Sequence, residues 1–297
     1  LCLQMSLEHA RTRRQFGKAL GEFDLVKEKL AWMAAHTYAM ESATYHTAAL
    51  IDSGAEDYML ETAMLKVFAS DALWRIVNDA LQIHGGAGYF SSLPLERMMR
   101  DARINLIGEG ANDVLRCFIA MVGLRGVGME LQDVLRKPWR AGKLLHWIPP
   151  RIPATHPRLT SAASDLARQI VQFANACQRS LMKYREQILD HEHVQARLGD
   201  TATDLFLSSC VYARLLTLVS RKDMDEAERS REFHTGLLFL KLAHRRNVER
   251  FQAMHDNDDD LINLTAETLL GEGHHGHDGH AHVEHAPSTQ GHVEHKH

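Results

Sequence analysis

A chain of 297 residues, 45% hydrophobic and 24% charged, has the composition of a globular protein of one or two domains. A formal net charge of −4 leaves no basic footprint for nucleic acid, and Cys2, Cys117, Cys177 and Cys210 form no short-spaced pair that would suggest a zinc site or a disulfide framework. The cysteines read as small buried hydrophobes in a reducing compartment; no apolar run reaches the ~18–20 residues of a bilayer span, and no signal-peptide pattern precedes the first helix.

The chain opens on Leu1, inside a helical pattern that lacks a cap, as the end of a longer helix would. Residues 1–14 carry a polar side (Glu8, His9, Arg11 to Arg14), followed by Gln15-Phe16-Gly17. Phe23, Val26, Leu30, Met33, Ala34, Thr37 and Tyr38 recur with a period near 3.6, and the pattern runs to Gly54, which fits a C-cap. From Glu56, the residues Leu60, Met64, Val67, Phe68, Trp74, Val77 and Leu81 cover a wide apolar arc, so this helix is expected at the centre of a bundle. It ends in Gln82-Ile83-His84-Gly85-Gly86-Ala87-Gly88-Tyr89, where three glycines in four positions suit a positive φ and a close backbone approach. Pro94 marks the start of a short helix through Arg100.

Gly108-Glu109-Gly110-Ala111-Asn112-Asp113 then sets one carboxylate between two glycines and opens a helix over 112–131 behind an Asn/Asp cap signal. A carboxylate there suits a general base beside backbone N–H groups that polarise a carbonyl; it equally suits an acid that caps a helix after a tight turn. Short connections throughout predict an antiparallel bundle.

Taken together, Arg13-Arg14-Gln15-Phe16-Gly17, the Gln82–Tyr89 stretch and Arg100-Asp101-Ala102-Arg103-Ile104 leading to Glu109-Gly110-Ala111 resemble, in this order, the C-terminal helical domain of the acyl-CoA dehydrogenase family. The resemblance covers about 1–135. It implies that the N-terminal helical domain and middle β-domain are missing, so the chain is expected to be a fragment. It also implies FAD-dependent α,β-dehydrogenation of acyl-CoA with Glu109 as base. Arg13, Gln15 and Phe16 match the segment reaching the FAD of the neighbouring subunit of a homodimer, Gln82, Gly85 and Gly86 the loop along that cofactor, and Ala111 and Asp113 contacts to the FAD of the same subunit. Gly108 and Gly110 flank the base in the acyl pocket, and an electron-transfer flavoprotein reoxidises the flavin. Two positions depart from the family: Gly108 stands where Tyr or Phe is usual, and Ala111 where Thr is usual. Either departure fits a widened substrate range or a weakened paralogue serving as an assembly or scaffold protein.

Residues 136–157 hold five prolines and a basic, aromatic mixture (Arg136, Lys137, Trp139, Arg140, Lys143, Trp147, Arg151), read as a linker that either lies peripherally on a membrane or packs on its own domain. Three further helical patterns follow: one seam from Leu159 to Ile188, a second from Val194 to Val219 and a less regular one from Met224 to about His255. Within them, Gln195-Ala196-Arg197-Leu198-Gly199-Asp200-Thr201-Ala202-Thr203-Asp204-Leu205-Phe206 resembles the appended helical domain of the very-long-chain subfamily, which favours long acyl chains and a cytoplasmic or mitochondrial location, peripheral to the inner membrane. Asp256, Asp258, Asp260 and Glu267 match a calcium-loop spacing, but Leu261 stands where the sharp turn needs Gly; an acidic helix cap accounts for them better. From 271 to 297 the chain carries nine of its twenty histidines with little to bury, so a disordered tail is expected, with weak, non-catalytic metal binding at most.

The resulting expectation is an all-α chain: a bundle over 1–135, a linker over 136–157, an appended helical domain over 158–270 and a tail over 271–297. No metal site, nucleic-acid contact or disulfide is expected.

Overall fold

The computed structural model describes residues 1–136, 150–154, 156–221 and 223–271, with the backbone alone for 130–136. Trp139, Arg140, Lys143 and Trp147 of the linker, and the tail beyond Gly271, lie outside the described residues.

Among the described residues the architecture is all-α with one two-stranded hairpin, and the helices are α1 (Cys2–Thr12), α2 (Asp24–Asp52), α3 (Met59–His84), α4 (Gly86–Tyr89), α5 (Leu95–Ile104), α6 (Asn112–Arg136), α7 (Thr160–Tyr184), α8 (Glu192–Ser220), α9 (Glu226–Ala253) and α10 (Asp259–Leu270). Leu1–Asp256 form one compact unit, so the helices on both sides of the linker share a packing unit. Within it α3 is central, packing against α1, α2, α5, α6 and α8, as its wide apolar arc predicts.

On α2, Ala35, Ala39 and Ala43 are fully buried at a spacing of four, a ridge of small side chains that lets α8 and α9 approach closely. Against it pack Leu205, Leu207, Val211, Leu215 and Phe239. The α2 seam differs by one position from the sequence pattern: Thr37 is exposed, and His36 is buried in its place. A second core joins α1, α2, α3 and α5 through Cys2, Met33, Val77, Ala80, Ile83 and Leu95. A third joins α6, α7 and α8 through Ala120, Leu124, Cys177 and Leu198. Cys2, Cys177 and Cys210 are buried and all four thiols are free; burial pushes those of Cys177 and Cys210 up to about 12.

Helix ends follow local chemistry. After α2, Gly54 takes φ +85, the left-handed conformation of a C-cap glycine. α3 starts at Met59 rather than Glu56, because the Asp57 carboxylate accepts the Met59 N–H (3.1 Å) and holds the preceding residues outside the helix. α5 runs four residues beyond the expected Arg100, to Ile104, held by Ala102 in the core and by the Arg97–Asp101 and Arg100–Glu96 pairs. α8 is long and apolar enough to cross a bilayer, yet 56% of its most apolar window is buried in the protein, as in a core helix.

The second unit contains α10, with Asp259 and Asp260 in the first turn, where the helix dipole favours acids, and Leu261, Ile262, Leu264, Leu269 and Leu270 exposed.

Candidate active site

The sequence-predicted site residues fall into two groups at different levels of α3. The first surrounds its C-terminus. β1 (Arg14–Gln15) and β2 (Lys18–Ala19) pair antiparallel around a two-residue turn, Phe16-Gly17, with φ +51 and +81. Positive φ at both positions matches the right-handed twist of the strands; Gly17 adopts it freely, whereas Phe16 is strained there. Arg14 donates to the Gly17 carbonyl (3.1 Å) and closes the turn. Phe16 is 92% exposed at the tip, and Arg13 and Gln15 are exposed beside it.

Stacking of His9 on His84 (ring centroids 4.4 Å apart) brings the end of α1 to the end of α3. Gly85 takes φ +59 and turns the chain out of α3. Gly88 serves close packing: a Cβ there would lie 2.8 Å from the Leu81 carbonyl oxygen. Gly86 faces open space, with nothing within 4 Å of an added Cβ, and Gln82, Gly85 and Gly86 are exposed. One end of the bundle therefore presents a guanidinium, an aromatic ring and bare glycine backbone to solvent.

The second group is the turn entering α6. Glu109 is exposed at φ +58 and is followed by Gly110 at φ +91. A carboxylate residue in the left-handed region persists only where its surroundings hold it, since the conformation costs of order 1–3 kcal/mol. The surroundings here are specific. Lys66 on α3 donates to the Gly110 carbonyl (2.6 Å) and to Asn112 Oδ1 (2.8 Å). Asn112, 4% exposed, donates through Nδ2 to Ser70 Oγ and Asp71 Oδ1, both at 2.8 Å, and its own N–H reaches the Leu106 carbonyl (3.0 Å). Among the described residues no acceptor engages the Glu109 N–H. Gly108 has room, since an added Cβ would meet only the Ile104 carbonyl oxygen, at 3.5 Å. Ala111 is half-buried and Asp113 exposed, with Arg116 3.5 Å away.

Lys66 and Asp71 were not among the sequence candidates, and Asn112 figured there only as a cap. They contact one another across more than forty residues, which no local spacing displays. The two groups are also far apart. At 1.5 Å per residue, Lys66 and Ser70 lie roughly 20–27 Å along α3 from its C-terminal glycines, so Glu109 and the Arg13–Phe16 tip do not meet within one chain.

Behind the Glu109 turn lies a half-buried ionic cluster around one fully buried carboxylate, Asp204. Arg116 donates to Asp200 (2.8 Å) and to Asp71; burial works against its charge, but the two carboxylates outweigh it and raise its pKa. Asp204, 2% exposed, accepts two hydrogen bonds from Arg246 (2.9 and 2.7 Å) and one from Arg250 (2.5 Å). Burial alone would raise its carboxyl, yet the two guanidiniums hold it below the usual carboxylate range. His36 Nδ1 donates to the Trp32 carbonyl (2.9 Å) and its Nε2 faces Arg246 (3.4 Å); burial, then that cation, push it down to about 3.

Comparison with known proteins assigns both halves. Residues 1–124 match the family described as acyl-CoA dehydrogenase, C-terminal domain, and residues 157–268 the family described as ACAD9/ACADV, C-terminal domain. The human very long-chain specific acyl-CoA dehydrogenase, mitochondrial, is 34% identical over 226 residues, 70% of this chain and 34% of that protein. The cyclohexane-1-carbonyl-CoA dehydrogenase of Geobacter metallireducens is 42% identical over 114 residues, 38% of this chain and 30% of that protein. The chain thus spans about a third of the length of these relatives. An acyl-CoA dehydrogenase from Bacillus anthracis, solved in complex with FAD, shares the fold over 93% of this chain and 50% of its own, with a TM-score of 0.72 at 23% identity.

Proposed function

Because the chain belongs to the acyl-CoA dehydrogenase family, over its C-terminal domain and the C-terminal domain of the ACAD9/ACADV type, we propose that it is the C-terminal part of a longer FAD-dependent enzyme that introduces a double bond between the α and β carbons of an acyl-CoA, with long chains preferred. Glu109 is the base. The observation that carries this reading is its backbone: an exposed carboxylate at φ +58, on a turn tied to α3 by Lys66 and Asn112.

In this reading the Glu109 carboxylate takes the α-proton, and the Glu109 N–H, free of protein acceptors among the described residues, donates to the thioester oxygen, where negative charge develops. Gly108 leaves the acyl group room to approach, while Gly110, at φ +91 and packed against Leu115, shapes the turn that carries the base. The chemistry that a bound FAD would supply is acceptance of the β-hydride. The residues present fit such a cofactor. Arg13 offers a cation to a diphosphate, Phe16 an exposed ring to a base, and Gly85 and Gly86, beside Gln82, a surface without side chains along which a cofactor can lie close. Ala111 and Asp113 would help hold the FAD of their own subunit. The separation of the Arg13 group from Glu109 along α3 supports a homodimer in which each chain completes its partner's cofactor site. An electron-transfer flavoprotein is the proposed acceptor, and a mitochondrial location follows the human relative.

Gly108 and Ala111 favour one alternative, a non-catalytic member used in assembly. The test is anaerobic addition of acyl-CoA esters to the whole protein carrying this chain. It should purify yellow, with one FAD per chain, and bleach on addition of a long-chain ester. A yellow protein that no acyl-CoA bleaches, or one without flavin, supports the assembly reading instead.

A further inference from the structure

The Gln195–Phe206 stretch places Gly199 and Asp200 directly over the first turns of α6, and the contacts made there lead back, bond by bond, to the residue after Glu109. We propose that α8 of the appended half, through Asp200, is a positioning element for the Glu109 carboxylate; this rests on the reading of Glu109 as the base.

The approach begins at Gly199. A Cβ at this position would lie 2.4 Å from the Arg116 carbonyl oxygen, so only glycine lets α8 reach α6 here. The next residue, Asp200, accepts from Arg116 Nε at 2.8 Å. It is itself steadied from α9, where Arg250 reaches the Asp200 carbonyl at 3.4 Å and its carboxylate at 3.9 Å.

Arg116 does not end the chain of contacts. Its planar guanidinium also donates to Asp71 Oδ2 on α3, and a rigid fork that holds two carboxylates fixes the distance between the helices carrying them. The second Asp71 oxygen accepts from buried Asn112 (2.8 Å), Asn112 Oδ1 accepts from Lys66 (2.8 Å), and Lys66 donates to the Gly110 carbonyl (2.6 Å). Asp200, Arg116, Asp71, Asn112, Lys66 and Gly110 thus form one continuous path, mostly of charge-assisted hydrogen bonds, and it ends where the backbone is most constrained, at φ +58 and +91.

Breaking the path has a defined structural outcome. Arg116 already stands 3.5 Å from the exposed Asp113. Without the Asp200 charge it is drawn toward Asp113, Asp71 loses its fixed partner, and Asn112 and Lys66 hold the turn less firmly. A base displaced by a fraction of an ångström loses rate without losing substrate affinity.

The experiment uses the whole holoenzyme with Asp200→Asn, and Lys66→Met as a second variant that reaches the same turn from α3. Three quantities are read: kcat and KM per bound flavin, flavin content, and amide hydrogen exchange of residues 108–112 against residues 86–89. The expected result for both variants is a fall in kcat of about 10- to 100-fold at nearly unchanged KM and flavin content, with faster exchange confined to 108–112. Activity lost only in proportion to flavin or folded protein, with exchange at 108–112 as in the parent, overturns the proposal and leaves Asp200 an ordinary packing contact. Glu109→Gln run in parallel separates the two claims. If that variant keeps its turnover, the base reading fails, while the exchange measurement still reports whether Asp200 holds the turn.

Discussion

Gly199→Ala is the substitution whose sign is decided by one contact. In an exposed helix interior the change would stabilise, since alanine exceeds glycine in helix propensity by about 1 kcal/mol. Here the new methyl would sit 2.4 Å from the Arg116 carbonyl oxygen, 0.6 Å inside the closest approach that real Cβ atoms make. The neighbour is backbone of a packed helix, so no side chain can rotate away and α8 must retreat from α6. Overpacking of this kind costs about 1–3 kcal/mol. The retreat also loosens the Arg116–Asp200 hydrogen bond, a charge-assisted contact worth about 1.5–3 kcal/mol. After the propensity gain is subtracted, the net loss should be about 1.5–5 kcal/mol, which for a unit of this size lowers Tm by about 3–20 °C. Calorimetry of parent and variant at one protein concentration measures it. A Tm that is unchanged or raised would show that α6 and α8 do not meet at this glycine.

Asp204→Ala takes from Arg246 its carboxylate partner and leaves Arg250 only the more distant Asp200, and should cost about 1.5–3 kcal/mol in urea unfolding; an unchanged midpoint would refute the ionic cluster. The depressed Asp204 carboxyl contributes stability that is present above its ordinary value of 3.8 and lost as pH falls through its lower folded value. His36 acts in the same direction over a higher window. The unfolded chain takes up a proton below 6.5 that the native imidazole, held at about 3, refuses, so stability should fall between those values with a one-proton slope of about 1.4 kcal/mol per pH unit. In His36→Gln that part of the slope should vanish, and equal slopes in parent and variant would contradict the burial argument. Gly108→Phe should fold with stability within about 0.5 kcal/mol of the parent, because the position is open and its φ is not positive. In the whole enzyme the added ring should lower kcat/KM for branched or bulky acyl groups while sparing slim straight chains, and no change for any substrate would place residue 108 outside the acyl pocket.

What the sequence displayed was whatever depends on near neighbours. The 3.6-residue period of Leu60, Met64, Val67, Phe68 and Val77 located the central helix, and Gly54 and Gly85 marked helix ends where a positive φ is needed. The acids read as a helix cap stand at the start of α10, with Asp258 at its N-cap and Asp259 and Asp260 in its first turn, although its leucines make no regular seam. A histidine inside an apolar period carries no local sign of burial; the place of His36 follows from the Trp32 carbonyl and from Arg246, 210 residues away. The Glu109 turn was legible as a motif, but Lys66, which holds it, belongs to another helix and carries no local mark of that role. Gly199 shows the same limit, as a glycine inside a helical pattern whose reason is the backbone of Arg116.

The base assignment is tested most directly by rapid-mixing measurement of flavin reduction in the whole enzyme carrying Glu109→Gln, with FAD content determined on the same sample. The amide keeps the size and the backbone of the turn but cannot accept the α-proton. The account predicts full FAD occupancy, unchanged exchange protection at 108–112, and a reduction rate lower by about 10²–10⁴-fold or more. A reduction rate within about tenfold of the parent at full FAD occupancy would contradict it and move the base to another residue.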